Sequence, residues 1–249
     1  PQLADTAPDT NSSLELPTKN VSENQNMAPT TANEIFFWYP NIIGYARVVL
    51  AIVSFCFYEN PVIFFWCYLT SFLLDAADGH VARMFNQCSR FGAVLDMVTD
   101  RFATACLVVI LSHLYFPYRH VCMILIILDI SSHWLRVVAS LLSGEGHKNV
   151  SGSRLLQIYY KNRAVLGIVC LGNELFYISA YMMYFYPTLH IMDLSIDVFY
   201  YAALICFPIF ALKQLLNLIQ LQYSACEIVD WEFTHELQAK KQTLHCEML

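Results

Sequence analysis

The sequence has little charge for its length, since Asp, Glu, Lys and Arg make up 14% of its 249 residues. A soluble domain carries about 25%, so the composition argues against a soluble globular protein. Positive charge is not in excess either: the formal net charge is −6 at pH 7, which argues against binding to nucleic acid. The nine cysteines include no Cys-x-x-Cys pair, so neither a zinc site nor a disulfide framework is indicated.

Apolar side chains, in contrast, are abundant. Hydrophobic residues make up 57% and aromatic residues 14% of the chain, and the mean hydropathy is +0.46; a disordered chain would lack this content. The acidity lies at the two ends, because residues 1–39 have a net charge of −4 and residues 227–249 have −3, which leaves +1 for residues 40–226. The composition therefore predicts an integral membrane protein with a nearly neutral body.

Six apolar segments follow Pro40, each long enough, or nearly so, to cross about 30 Å of hydrocarbon as a helix. They cover 41–58, 61–84, 92–116, 119–142, 161–186 and 196–221. Proline and glycine residues, which end or bend helices, separate them. We predict an all-α polytopic membrane domain of six transmembrane helices over residues 34–221, between a disordered polar tail (1–33) and a cytoplasmic C-terminal tail (222–249).

The basic residues indicate the orientation of these segments, because cytoplasmic loops of membrane proteins are enriched in Lys and Arg. With six spans, both termini and the loops at 85–91 and 143–160 fall on one side. That side carries Arg83, Arg90, Lys148, Arg154, Lys161 and Arg163, whereas the other side has little besides Arg119. We therefore expect both termini to be cytoplasmic.

Four aspartates occur at helical spacing on two consecutive segments. Asp75 and Asp78 are three residues apart on the second segment, and Asp96 and Asp100 are four apart on the third, so each pair shares one helix face. A short turn at 85–91 joins these segments, which we expect to pack as an antiparallel pair. All four carboxylates would then converge near the cytoplasmic membrane boundary.

Converging carboxylates repel one another and are unfavourable at membrane depth. Protonation, ion pairs with Arg83, Arg90 or Arg101, or bound divalent cations would relieve the repulsion. Oxygen-only ligands in this number are typical of Mg²⁺ or Mn²⁺, and two such ions with a phosphate group would complete the coordination. Helix capping combined with surface salt bridges is the structural alternative.

Other residues of the same stretch suit a phosphate group. Gly79 removes a side chain at a position where a ligand could approach the backbone. Arg83 lies one helical turn further on and could bind phosphate through both guanidinium nitrogens. Ser89 offers a hydroxyl group, and Gly92 allows the second and third segments to approach closely.

This stretch resembles the full signature of the CDP-alcohol phosphatidyltransferases, with the spacing Asp75-x2-Asp78-Gly79-x2-Ala82-Arg83-x8-Gly92-x3-Asp96-x3-Asp100. The runs PNIIGYAR (40–47), SSHWL (131–135) and GNELFY (172–177) resemble eukaryotic members that use myo-inositol. The resemblance implies a homodimer in the endoplasmic reticulum membrane, with its active site facing the cytosol. It implies transfer of the phosphatidyl group from CDP-diacylglycerol to myo-inositol, with release of CMP.

The resemblance also implies roles for individual residues. The expected ligands of Mg²⁺ or Mn²⁺ are Asp75, Asp78, Asp96 and Asp100. Asp100 is also the expected general base, which takes the proton from the attacking inositol hydroxyl. The residues expected to line the CDP-diacylglycerol site are Gly79, Arg83 and Ser89.

Selection of the acceptor depends on residues outside the signature, and ionisable groups within membrane segments are functional candidates. The candidates for contact with inositol are Asp129, His133, Lys161, Arg163 and Glu174. The structural alternative is pairing within the membrane, for example of Asp129 with Arg136. Glu174 could pair with Lys213 in the same way. Arg47 either extends to the membrane surface or contacts the signature helices or a lipid phosphate.

Two other functions are compatible with the sequence. A sister transferase would use glycerol phosphate, serine or choline as its acceptor. A divalent-cation transporter would also need acidic residues in membrane helices. A transporter should distribute them through the bilayer depth, however, whereas these four lie at one boundary.

Overall fold

The computed structural model describes residues 31–143, 154–187, 189–191 and 194–247, most of which are helical. The helices are α1 (Ala32–Phe36), α2 (Tyr39–Cys56), α3 (Pro61–Met84), α4 (Arg90–Leu114), α5 (Arg119–Ser143), α6 (Arg154–Lys161), α7 (Arg163–Phe185) and α8 (Val198–Glu247). A 3₁₀ turn, Phe116–Tyr118, links α4 to α5, and strands β1 (Leu189–Ile191) and β2 (Leu194–Ile196) form a short antiparallel pair. Residues 1–30 of the predicted polar tail lie outside the described residues. Lys148, one of the basic residues that indicated the orientation, also lies outside them.

Five helices in the described parts of the chain are long and apolar enough to cross a membrane. They are Tyr39–Cys56, Pro61–Met84, Phe116–Leu142, Ala164–Phe185 and Val198–Glu236. The predicted helical, polytopic membrane protein is therefore confirmed. Helix α4 is not among the five, and its first half carries Asp96, Asp100 and Arg101. The sixth span and the cytoplasmic side of the termini stay predictions.

Local sequence explains where α3 begins. Pro61 fits the first turn of a helix, where its missing N–H has no partner to lose. The side chain of Asn60 accepts hydrogen bonds from the backbone N–H groups of Val62 and Ile63, both at 3.2 Å. Such capping satisfies donors that the first helical turn leaves free, and α3 starts at the residue that the sequence predicted.

Helix α8 is much longer than predicted, because it continues through Glu247 instead of ending at residue 221. The drop in hydropathy after residue 221 does not end the helix. No proline or glycine follows Pro208, and the Gln, Glu and Lys residues of this region are good helix formers. Most of the predicted C-terminal tail is therefore helical.

Helices α3 and α4 both pack against α2, and their backbones do not pack closely on each other. The predicted antiparallel packing of these two segments is wrong, and small residues explain why. A Cβ at Gly44 of α2 would lie 2.9 Å from Cδ2 of Leu95 on α4, and a Cβ at Gly92 would lie 2.9 Å from Oδ1 of Asn41 on α2. The two glycines thus allow α4 to approach α2, whereas Gly92 was predicted to face the second segment.

An apolar and aromatic core joins α3 and α4 to α5, α7 and α8. Helices α5 and α7 pack on α8, and α4 contacts both α5 and α7. Phe64, Leu107 and Tyr181 are completely buried in this core, and the rings of Phe64 and Tyr181 stack with their centroids 3.9 Å apart. The aspartates of α3 and α4 lie outside this core, facing α2.

Candidate active site

The four aspartates meet around the guanidinium group of Arg47. Its Nη1 lies 2.8 Å from Oδ2 of Asp78 and 2.8 Å from Oδ1 of Asp96. Its Nη2 lies 2.7 Å from Oδ1 of Asp75 and 2.6 Å from Oδ1 of Asp100. Arg47 is 3% exposed, so it contacts the signature helices and does not extend to the membrane surface.

Helix α2 is fixed against α3 close to this cluster, since the hydroxyl of Ser71 donates a hydrogen bond to the carbonyl oxygen of Arg47 at 3.0 Å. The aspartate pairs of α3 and α4 each lie on one helix face, as their spacing predicted, and both faces turn toward Arg47. The carboxylates therefore converge around a side chain of a third helix, and their oxygens meet there although the backbones of α3 and α4 do not pack closely on each other.

One guanidinium group cannot neutralise four carboxylates. The next cation is Arg101, whose Nη2 is 3.8 Å from Oδ2 of Asp100. Arg83 and Arg90 were also predicted as counter-charges, but both are exposed and neither forms an ion pair with the described residues. When all four carboxylates are ionised they repel one another, and the cluster then has an excess of negative charge that a divalent cation would balance.

The donor set fits a hard divalent cation. Asp75, Asp78 and Asp96 each offer a carboxylate oxygen, and these oxygens lie within 4.8 Å of one another. Oxygen ligands of this kind are those that Mg²⁺ and Mn²⁺ prefer. The capping alternative is wrong, because the residues that cap α3 and α4 are Asn60 and Ser89.

A small cavity of about 250 Å³ lies beside the aspartates. Its lining includes Asp78, Gly79, Arg83, Ser89 and Asp96. A Cβ at Gly79 would meet only the guanidinium group of Arg83, whose nearest atom is 3.4 Å away, so packing of the described chain does not require glycine there. Ser89 accepts a hydrogen bond from the N–H of Gly92 at 2.9 Å, which leaves its own hydroxyl proton available to a ligand.

A larger cavity of about 730 Å³ shares four lining residues with the small one, namely Asp78, Gly79, Arg83 and Asp96. Its volume is in the range of small-molecule sites. Three of the predicted inositol contacts line it: His133, Lys161 and Glu174. Asp129 is not among the lining residues, and the side chain of Arg163 lies outside the described part of the structure.

Asp129 has partners other than the predicted Arg136. Nη1 of Arg101 donates to both carboxylate oxygens of Asp129, at 2.8 and 2.9 Å, and Nδ2 of Asn217 donates to Oδ1 at 3.1 Å. Arg136 pairs instead with Glu227. The expected pairing of Asp129 with Arg136 is wrong, because α4 supplies a nearer arginine and the unexpectedly long α8 supplies Glu227.

Glu174 and Lys213 do not pair with each other either. The carboxylate of Glu174 accepts hydrogen bonds from Tyr68 and Thr104, and Nζ of Lys213 donates to the hydroxyl of Tyr159. Both residues line the larger cavity. The hydroxyl partners were missed, because single Tyr and Thr residues in apolar segments have no diagnostic spacing.

Comparison with known proteins agrees with this geometry. The family profile described as CDP-alcohol phosphatidyltransferase matches residues 37–194, a range that contains Arg47 and all four aspartates. The chain belongs to the CDP-alcohol phosphatidyltransferase family.

Several relatives of this phosphatidyltransferase are named CDP-diacylglycerol–inositol 3-phosphatidyltransferase. The Candida albicans protein is 43% identical over 223 residues, which cover 86% of this chain and 92% of the relative. The Saccharomyces cerevisiae protein is 41% identical over 214 residues (84% and 94%), and the human protein is 44% identical over 191 residues (75% and 89%). No solved structure matches the chain.

Replacing Arg47 of this phosphatidyltransferase by Gln should destabilise the metal-free protein by about 3–5 kcal/mol, because four carboxylates lose the cation they share. Thermal unfolding in detergent with a chelator should show a lower Tm than for the wild type, and added Mn²⁺ should recover part of the loss. Arg90→Gln is the matched control, since Arg90 is exposed and should be replaceable without effect. Equal Tm values for Arg47→Gln and the wild type in chelator would contradict the counter-ion role.

Replacing Gly79 by Ala should separate stability from substrate binding. The new methyl group meets only Arg83, and Ala is favoured over Gly inside a helix by about 0.5–1 kcal/mol, so the Tm should be unchanged or higher. The KM for the cytidine-nucleotide substrate should rise, because the methyl group occupies ligand space. Gly172→Ala is the opposite control: its Cβ would lie 2.5 Å from Cγ2 of Ile209, so it should lower the Tm. An unchanged KM for Gly79→Ala would show that no ligand approaches this glycine.

Proposed function

We propose that this chain is a CDP-diacylglycerol–inositol 3-phosphatidyltransferase, an enzyme of phospholipid biosynthesis. It transfers the phosphatidyl group from CDP-diacylglycerol to myo-inositol and releases CMP. The observation that carries this function is the meeting of four signature aspartates at the lining of the larger cavity. Relatives that bear this enzyme's name match the chain over 89–94% of their own lengths.

The carboxylates that would hold the metal are Asp75, Asp78, Asp96 and Asp100. Their oxygen-only donor set supports Mg²⁺ or Mn²⁺ and, with four carboxylates, two ions. When bound, such ions supply positive charge that offsets the charge of the diphosphate and of the leaving CMP. In this proposal Arg47 keeps the four side chains gathered on the site from the side of α2.

The small cavity is the proposed site for the diphosphate and cytidine part of CDP-diacylglycerol. Gly79 leaves room for a ligand against α3, and the exposed guanidinium group of Arg83 can donate two parallel hydrogen bonds to a phosphate. Ser89 can donate its hydroxyl proton while it caps α4. The two cavities share Gly79 and Arg83. This supports a position of the reacting phosphate of CDP-diacylglycerol where the two cavities meet.

Asp100 is the proposed general base. It lines the larger cavity, and its Oδ1 binds Arg47. Its Oδ2 lies 3.8 Å from Nη2 of Arg101, beyond hydrogen-bond distance, and is the oxygen proposed to accept the proton. The acceptor's hydroxyl oxygen forms a bond to the phosphorus of the phosphatidyl group, and its proton passes to Asp100. The bond from that phosphorus to the bridging oxygen breaks, and CMP leaves with the electron pair.

The larger cavity is the proposed inositol site. His133, Lys161 and Glu174 line it and offer groups that hydroxyls can bind. The proposed role of Asp129 is indirect: it binds Arg101 and so holds that residue in place beside Asp100. Arg163 follows Lys161 closely at the junction of α6 and α7, and we keep it as a candidate contact.

The proposed setting is the endoplasmic reticulum membrane, with both termini and the active site facing the cytosol. The excess of Arg and Lys near the corresponding loops supports this orientation. We also propose that α4 is a sixth transmembrane helix and that the enzyme is a homodimer, as in the family that the sequence resembles.

The acceptor assay tests this function. Purified enzyme with CDP-diacylglycerol and Mn²⁺ should incorporate labelled myo-inositol into lipid and release CMP, and it should not incorporate serine, choline or glycerol phosphate. Asp100→Asn should reduce turnover by about 10²–10⁴-fold, the usual contribution of a general base, with nucleotide binding retained.

Asp197→Asn is the control for this assay, because Asp197 is an exposed carboxylate ahead of α8; it should have wild-type activity. Preferred incorporation of another alcohol would overturn the inositol specificity. An active Asp100→Asn enzyme would remove this residue as the base.

A further inference from the structure

Glu174 is a buried carboxylate without a cationic partner among the described residues. It is 9% exposed and lines the larger cavity. Its Oε2 accepts a hydrogen bond from the hydroxyl of Tyr68 at 2.8 Å, and its Oε1 accepts one from Oγ1 of Thr104 at 2.8 Å. Each carboxylate oxygen can accept a second hydrogen bond, so acceptor capacity remains at this wall of the cavity.

Lys213 is a buried ammonium group without a carboxylate partner in the same part of the structure. It is 3% exposed and lines the same cavity. Its Nζ donates to the hydroxyl of Tyr159 at 3.2 Å and lies 5.4 Å from the centre of that ring. An ammonium group has three donors, so two are left after the bond to Tyr159. Burial of a charge without an ionic partner is energetically unfavourable. Such residues within membrane segments are therefore candidates for a function.

The other charged groups around the inner part of this cavity have partners of opposite sign. Arg101 binds Asp129 through both carboxylate oxygens, and Arg136 pairs with Glu227. Apart from the aspartate cluster and the exposed Arg83 and Lys161, one negative and one positive charge, those of Glu174 and Lys213, are therefore left to interact with a ligand.

We propose that Glu174 and Lys213 together select an uncharged polyol as the acceptor, a refinement that rests on the proposed function. Every hydroxyl group of a polyol can both donate and accept a hydrogen bond. One hydroxyl group can therefore donate to Glu174 while another accepts from Lys213. A phosphorylated acceptor can pair with Lys213 but leaves a buried net negative charge at Glu174, and a quaternary ammonium alcohol can pair with Glu174 but leaves a buried net positive charge at Lys213. The pair thus favours an acceptor without net charge and disfavours acceptors with a net charge of either sign.

Steady-state kinetics of Glu174→Gln and Lys213→Met, in the full-length enzyme, test this proposal. Each variant loses hydrogen bonds to a charged group, so the KM for myo-inositol should rise about 10–100-fold, while the KM for CDP-diacylglycerol stays within about twofold. Inhibition by inositol 1-phosphate gives a second readout. A loss of stability would change this inhibition in the same direction in both variants, whereas the proposal predicts opposite directions. Relative to the KM for myo-inositol, the inhibition constant of this anion should fall in Glu174→Gln and rise in Lys213→Met, because both ligands lose the same hydrogen bonds to the ring and only the anion responds to the changed charge.

A control pair lies one residue from each site on the same two helices. Asn173 and Gln214 are hydrogen-bonded to each other at 3.2 Å and do not line either cavity, so Asn173→Ala with Gln214→Ala should lower the Tm and leave the KM for inositol unchanged. Either site variant is a sufficient test if the other fails to fold.

The outcomes separate this proposal from the proposed function. Wild-type enzyme that makes no lipid from inositol contradicts the function itself. Wild-type enzyme that does so, with unchanged inositol KM and unchanged inhibition in a folded variant, overturns the role of Glu174 and Lys213 alone.

Discussion

Repulsion among four carboxylates is the physical constraint on which the rest of this structure depends. Asp75, Asp78, Asp96 and Asp100 can be gathered in their ionised forms only if positive charge is placed among them, and the protein provides Arg47, within 2.6–2.8 Å of all four. A single guanidinium group leaves the cluster negative. This excess is what makes the site suited to divalent cations and, through them, to a diphosphate.

The same constraint explains why α2 occupies the centre of the site. Arg47 reaches both aspartate pairs because α3 and α4 pack on α2, and the glycines at 44 and 92 allow the approach of α4. The two cavities meet at the aspartates, and in the proposed function the nucleotide lies in one and the acceptor in the other. The proposed role of Glu174 and Lys213 extends this arrangement to the choice of acceptor.

The sequence predicted the features that depend on local spacing. Helical periodicity located the apolar segments, and the spacing of the aspartates indicated shared faces. It did not predict which helix those faces meet, because spacing defines a face but not its neighbour. For the same reason the predicted pairing of Asp129 with Arg136 was wrong. The length of α8 was missed because hydropathy falls after residue 221 while helix propensity does not.

Direct measurement of Mn²⁺ binding tests the central claim, that the aspartates form a divalent-cation site. Electron paramagnetic resonance of the purified protein, titrated with Mn²⁺, should reveal two bound ions with spin coupling, since ions in two-metal sites are about 3.5–4 Å apart. Binding should be lost in Asp75→Asn with Asp96→Asn. The absence of bound Mn²⁺ in the wild type, or its retention in the double variant, would contradict the claim.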